Sequence, residues 1–153
     1  MRKLLTLLAL AMAFVSGPAF AADPIIGTWT LNIAKSKFTP GPAPKAATRV
    51  YTESGGVYTL DQKVTNSDGK EATFKVQYRE GQDAPLTGAN GIDSIHGTKV
   101  DANTWDFALM SGGKEVGHVH RTVSADGKVL TVHNTGKQPS GATGDDTLVF
   151  DRK

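Results

Sequence analysis

From Gly27 onward the chain alternates apolar and polar residues with a period of two. In "GVYTLDQKV", Tyr58, Leu60 and Val64 fall on one side and Thr59, Asp61 and Lys63 on the other. "EATFKVQYRE" sets Ala72, Phe74, Val76 and Tyr78 against Glu71, Thr73, Lys75, Gln77 and Arg79. "TWDFALM" groups Trp105, Phe107 and Leu109, and "GTWTLNI" groups Trp29, Leu31 and Ile33. One dry face and one wet face per run is the signature of antiparallel strands packed on a core from one side. Asn66-Ser67-Asp68-Gly69-Lys70 and Ser124-Ala125-Asp126-Gly127-Lys128 carry Asp-Gly turns, with glycine supplying the positive φ that reverses the chain. The pattern predicts eight or nine strands, near 26–34, 47–53, 57–65, 70–79, 93–100, 104–110, 114–124, 128–135 and 146–151. The fold class is therefore all-β, an antiparallel up-and-down meander. Such a meander usually closes into a barrel, which removes its unpaired edges.

Two segments escape the alternation. "AKSKFTPGPAPKAA" (34–47) holds three prolines and a glycine and reads as an irregular crossing, or as a lid over a barrel mouth. "TGKQPSGATGDDT" (135–147) is small and polar and reads as a mobile loop. The first residues have a different character again. Arg2 and Lys3 precede an apolar run from Leu4 to Val15, and Ser16-Gly17-Pro18 and Ala19-Phe20-Ala21 follow. That order is a cleavable export signal, and its apolar run is shorter than the roughly 20 residues that span a bilayer. The expected division is a leader over 1–21 and a single barrel domain over 22–153, in a periplasmic or secreted protein.

Removing the leader changes the charge. The 17 Lys and Arg include Arg2 and Lys3, so the remainder balances the 15 Asp and Glu. A neutral chain without a basic stripe is not expected to bind nucleic acid. The absence of cysteine excludes thiol catalysis, disulfides and cysteine-ligated metals.

Gly27-Thr28-Trp29 at the head of the first strand, with a meander of about eight strands and a basic residue near the C-terminus, resembles the calycin superfamily of lipocalin-like barrels. The resemblance implies a closed, lipocalin-like barrel in which Trp29 plugs one end and Arg152, in "LVFDRK", lies across its ring. More closely, the chain resembles a group of small exported bacterial proteins. They open with a stretch like "GTWTLNIAKSKFTPGPAPK" and carry "PLTG" and "VSADGKVLTV" segments. No activity comes with that group.

Candidate chemistry is sparse. His118, His120 and His133 lie in "EVGHVHRTVSADGKVLTVHNTG". Matching Val119 and Val123 with Leu130 and Val132 puts all three on one face, whereas a slip of one residue would remove His133. They read as a solvated polar face, or as a weak Cu(II), Ni(II) or Zn(II) site. No carboxylate of the hairpin obviously orients them. Arg121 falls between Val119 and Val123 on the dry side. A buried charge needs a partner, so either an interior carboxylate, a rim position or a ligand's anionic head must satisfy it. Fatty-acid-binding barrels use interior arginines in the last way, so the resemblance lends support to a ligand beside the structural ion pair and the rim position. Trp105, Phe74, Tyr78 and Tyr58 would then line the pocket beside Arg121. No G-x-S-x-G elbow, phosphate-binding loop, H-E-x-x-H or cofactor motif is present, and catalysis is not expected. The reading is a barrel for a small apolar molecule or lipid. The alternatives are an envelope protein partner, or an exported-protease inhibitor that inserts Ala22–Pro24 into its target.

Overall fold

A computed structural model describes residues 22–39 and 41–153. The export-signal reading of 1–21 lies outside the described residues. Ten strands form one antiparallel sheet: β1 (Gly27–Leu31), β2 (Ala46–Ser54), β3 (Val57–Thr65), β4 (Glu71–Tyr78), β5 (Asp83–Pro85), β6 (Ser94–Lys99), β7 (Thr104–Ser111), β8 (Lys114–Val123), β9 (Val129–Lys137) and β10 (Thr143–Arg152). Their spatial order is β4-β3-β2-β1-β10-β9-β8-β7-β6-β5. Every neighbour is thus a neighbour in sequence, except that β1 pairs with β10 and rolls the meander into a nearly closed barrel. β4 and β5 end the sheet and do not pair. The seam is bridged instead by a parallel contact of Glu80 with Gly97, where Gly81 N–H donates to the Gly97 carbonyl at 2.8 Å.

The all-β meander agrees with the sequence pattern, with three local differences. β5 is an added strand of three residues, too short to show alternation. The polar stretch 135–147 is mostly strand, because Lys137 pairs with Thr143 and leaves only a tight turn between them. Its residues are small and polar although Gln138, Ser140 and Asp146 line the interior, so periodicity is silent there. Third, β1 stops at Leu31. Ile33 opens a single 3-10 turn (Ile33–Lys35) capped by Asn32, and its side chain is 39% exposed instead of sharing the side of Trp29 and Leu31.

After that turn the chain pairs again with β10: Lys37 and Thr147 exchange backbone hydrogen bonds, and Asp145 N–H reaches the Thr39 carbonyl. The strap that follows crosses to β2. Inward side chains of all the long strands meet in a single core, with Trp29, Tyr51, Trp105, Leu130, Val132 and Phe150 almost wholly buried. Residues 23–26 and the turns near 127 close one end. The hairpin tips near 66, 90 and 140 ring the other.

Candidate functional site

The closed end is built around Trp29, which is fully buried and donates its indole N–H to the Ile25 carbonyl at 2.8 Å. Arg152, directly opposite it in the β1–β10 register, lies 4.2 Å above the ring centre. Its guanidinium also donates to the carbonyls of Ile26 (2.8 Å), Gly127 (2.5 Å) and Pro24. Gly27 makes room for this. Its φ is 137°, and a Cβ there would stand 2.6 Å from Arg152 Nη1. A second plug lies beside it. The Asp23 carboxylate accepts from Ile25 N–H (3.0 Å), Tyr58 O–H (3.0 Å) and Lys99 Nζ (2.6 Å), joining β3 to β6 across the unpaired seam. Burial alone would raise the Asp23 carboxyl, but those three donors outweigh it and hold the group below the ordinary carboxylate value. These contacts tie Asp23 and Pro24 into the base, so an inhibitor that inserts these residues would first have to break them.

Above the plug, aromatic rings fill the seam. Tyr58 stacks on Tyr78 at 5.5 Å, and Trp105 stacks on Phe107 at 5.7 Å. The two pairs meet edge-on, Tyr58 against Trp105 at 5.0 Å and Tyr78 against Phe107 at 5.1 Å. Beyond this floor a cavity of about 510 Å³ opens toward the hairpin tips. Leu60, Phe74, Val76, Leu109 and Val132 supply much of its apolar wall. A recess of about 540 Å³ adjoins it beneath the strap, against Phe38, Pro42 and Pro44. Volumes of this size suit a small-molecule ligand.

Arg121 is inside, 4% exposed, paired in register with Trp105 and Val132. Its Nη1 donates to the Tyr78 hydroxyl at 2.9 Å, and its guanidinium lies 4.9 Å from the ring centres of both Tyr51 and Phe107. Nη2 has no partner. No interior carboxylate meets it: among the described residues, Arg121 forms no ion pair. Burial pushes the Tyr78 phenol up to about 12, so it stays protonated and does not supply the missing charge.

The predicted ligand contacts divide. Phe74, Tyr78 and Arg121 line the cavity, whereas Trp105 and Tyr58 belong to the floor beneath it. Gly27, Trp29 and Arg152 form the base as the resemblance implied. Sequence reasoning missed Arg49 on β2, 9% exposed, which lines both the cavity and the recess. Its Nε donates to Gln62 Oε1 at 2.7 Å and its Nη1 to the Tyr51 hydroxyl at 3.5 Å, and it lies 4.7 Å over the Phe150 ring. The signal was the one that revealed Arg121, a charge among inward residues, but in "AATRVYT" Val50 makes the opposite side look equally dry.

The common-face register of the histidines holds: His120 pairs with His133, and His118 with Thr135, on the outer surface. As a metal site the trio needs correction. His118 Nε2 and His120 Nδ1 lie 3.3 and 2.7 Å from Asp106 Oδ1, while His133 Nε2 is 2.7 Å from Asp145 Oδ1. His118 and His120 thus share the Asp106 carboxylate of β7, whereas His133 turns to Asp145 of β10, with Glu115 also near His118 at 3.2 Å. Among the described residues no group of three or more His, Asp, Glu or Cys side chains is placed to hold a metal ion.

No protein-family model matches the chain, and no curated protein matches it in sequence. Solved structures do match in shape. A Schistosoma mansoni fatty acid binding protein in complex with arachidonic acid aligns with a TM-score of 0.61 at 14% identity, over 85% of this chain and 96% of that one. As-p18, an extracellular fatty acid binding protein, aligns at 0.60 and 12% identity, over 86% and 97%. The wild-type fluorescent protein UnaG aligns at 0.59 and 16% identity, over 84% and 96%. The shared feature is the fold. These neighbours are calycin-type barrels of the fatty-acid-binding kind, and the chain spans nearly their full length.

Proposed function

We propose that this protein binds a small, largely apolar ligand with an acidic head group, held with its head on Arg121 and its apolar body along Phe74, Tyr78 and the aliphatic wall. One observation carries the reading: a buried guanidinium faces an apolar cavity with Nη2 unpartnered and no ion-pair partner among the described residues. Leaving such a donor unmet costs about 1–3 kcal/mol or more, a cost that an anionic head would remove. Burial of the ligand's apolar surface supplies the rest of the affinity. Neighbours whose names describe fatty acid binding, and a zebrafish ileal bile acid binding protein complexed with cholic acid (TM-score 0.56, 11% identity), support the same class of ligand.

Export belongs to the proposal, supported by the composition of the leader, as does kinship with the small exported bacterial proteins that open in the same way. The role is binding rather than catalysis. Native mass spectrometry of protein expressed with its own leader, and purified without chelator or metal resin, tests the whole reading. The expected result is a chain starting at Ala22 or Asp23 that carries an adduct of a few hundred daltons, removable by organic solvent and ionising as an acid. Protein that stays bare after incubation with a mixed lipid extract contradicts the binding role.

A further inference from the structure

The mouth end of the cavity is more polar than its floor. On β9 the inward residues Leu130 and Val132 are buried and apolar, whereas Asn134 and Gln138, farther along the same side, put amides on the lining. Asn66, just beyond β3, adds a third. Gln138 and Asn66 line both the cavity and the recess beneath the strap, so they stand where the two spaces join. The backbone of Gln138 is fixed there. Its N–H donates to the Ala142 carbonyl and its carbonyl accepts from Gly141 N–H, each at 2.8 Å. Its side-chain Nε2 is nevertheless covered and has no hydrogen-bond partner. A donor hidden from water and left unmet is a standing cost that an acceptor on a bound molecule would remove. Charge at this join does not call for a second acid. Arg49 is the one cation on the recess lining, against the carboxylates of Asp68 and Asp146. Arg49 donates to Gln62 and Tyr51, Asp146 accepts the N–H of Thr39, and Asp68 accepts that of Lys70. A neutral acceptor therefore suits Gln138 better than another carboxylate.

Resting on the ligand-binding reading above, we infer that the ligand is polar at both ends, with a neutral hydroxyl at the end remote from its acid, received by Gln138. The class is a long-chain acid hydroxylated at its terminal carbon. A hydroxyl fits because its oxygen accepts from Nε2 while its own proton is free to donate to an amide oxygen. The strand register supplies the ruler. Arg121 pairs with Val132, and Gln138 lies six residues farther along β9. At the rise of a strand that is no more than about 20 Å, close to the extended length of a hexadecanoate chain. The apolar body would then run along the wall between the two polar ends.

Competition titration with three acids of one chain length, each below its micelle threshold, tests this. Hexadecanoate has no hydroxyl, ω-hydroxyhexadecanoate carries one at the far end, and α-hydroxyhexadecanoate carries one beside the acid. The ω-hydroxy acid is expected to bind about tenfold more tightly than hexadecanoate, the gain of satisfying one hidden donor. The α-hydroxy acid should show no such gain, which separates a placed hydrogen bond from a general taste for polar ligands. Gln138→Met, which keeps the length of the side chain and removes the amide, should abolish the ω-hydroxyl preference and leave hexadecanoate affinity little changed. Gln138→Leu is the variant to use if the first one fails to fold, and the comparison of the three acids on wild type stands without either. Equal or weaker binding of the ω-hydroxy acid, an equal gain for the α-hydroxy acid, or a preference that survives loss of the amide overturns this inference while leaving acid binding intact. Binding of none of the three overturns it together with the reading on which it rests.

Discussion

The Asp23 clamp should be the most sensitive point in the barrel. Its carboxylate is 8% exposed, its partner Lys99 is 25% exposed, and together with Tyr58 they join β3 to β6 where the sheet itself has no ladder. Asp23→Ala deletes hydrogen bonds from Ile25, Tyr58 and Lys99 and strands a half-buried ammonium. Breaking a buried charged pair costs about 3–5 kcal/mol, and partial exposure of Lys99 brings the expected loss to about 2–4 kcal/mol. For a domain of this size that corresponds to a fall in melting temperature of about 8–16 °C. The pH dependence provides a sharper check. Because folding lowers the pKa of Asp23, its contribution is complete above the unfolded value near 4 and disappears as pH falls through the folded value. Urea unfolding of wild type and variant should therefore differ by the full amount near pH 7. As pH falls from about 5 toward 2 the difference should shrink. A difference unchanged by acid would mean that the clamp acts by packing and not by charge.

Gly27→Ala should destabilise the fold by about 1–3 kcal/mol in the same urea assay, because an unfavourable φ is joined to a collision with Arg152. A neutral result would mean that the Arg152 side chain moves aside freely. Arg152→Met should cost about 1–3 kcal/mol and alter the fluorescence of the tryptophans, as Trp29 loses the cation over its face and three carbonyls lose their donor. An unchanged spectrum and stability would remove Arg152 from the base. His120→Gln should change stability by under about 1 kcal/mol, the range of exposed ion pairs, and micromolar Zn(II) should leave the melting curve of the wild type in place. A zinc-dependent rise in melting temperature lost in that variant would restore the metal reading.

Strands with one wet face and one dry face were legible, because alternation, Asp-Gly turns and register are local consequences of the residue order. The pairing of Trp29 with Arg152 came from the resemblance of Gly27-Thr28-Trp29 to lipocalin-like openings, and the register bears it out. Arg121 was legible as a charge on a dry face. Arg49 was not, since Val50 and Tyr51 offer two apolar sides and only the barrel's curvature decides between them. The division of the aromatic residues between wall and floor depends on the height of each side chain along the barrel axis, which alternation does not encode. Asp23 is the clearest omission. Nothing around it is periodic, and its partners lie 35 and 76 residues away in sequence.

On the proposed reading, Arg121 recognises the charge on the head of an apolar ligand. Displacement of an environment-sensitive apolar dye from the barrel, by dodecanoate and by dodecanol, tests it on wild type and on Arg121→Met. A hydrogen bond to a buried charge contributes about 1.5–3 kcal/mol, which is roughly a tenfold to hundredfold preference for the acid. That preference is expected in the wild type and its loss in Arg121→Met, with dodecanol affinity little changed. Equal displacement by acid and alcohol in the wild type, or no displacement by either, would contradict it.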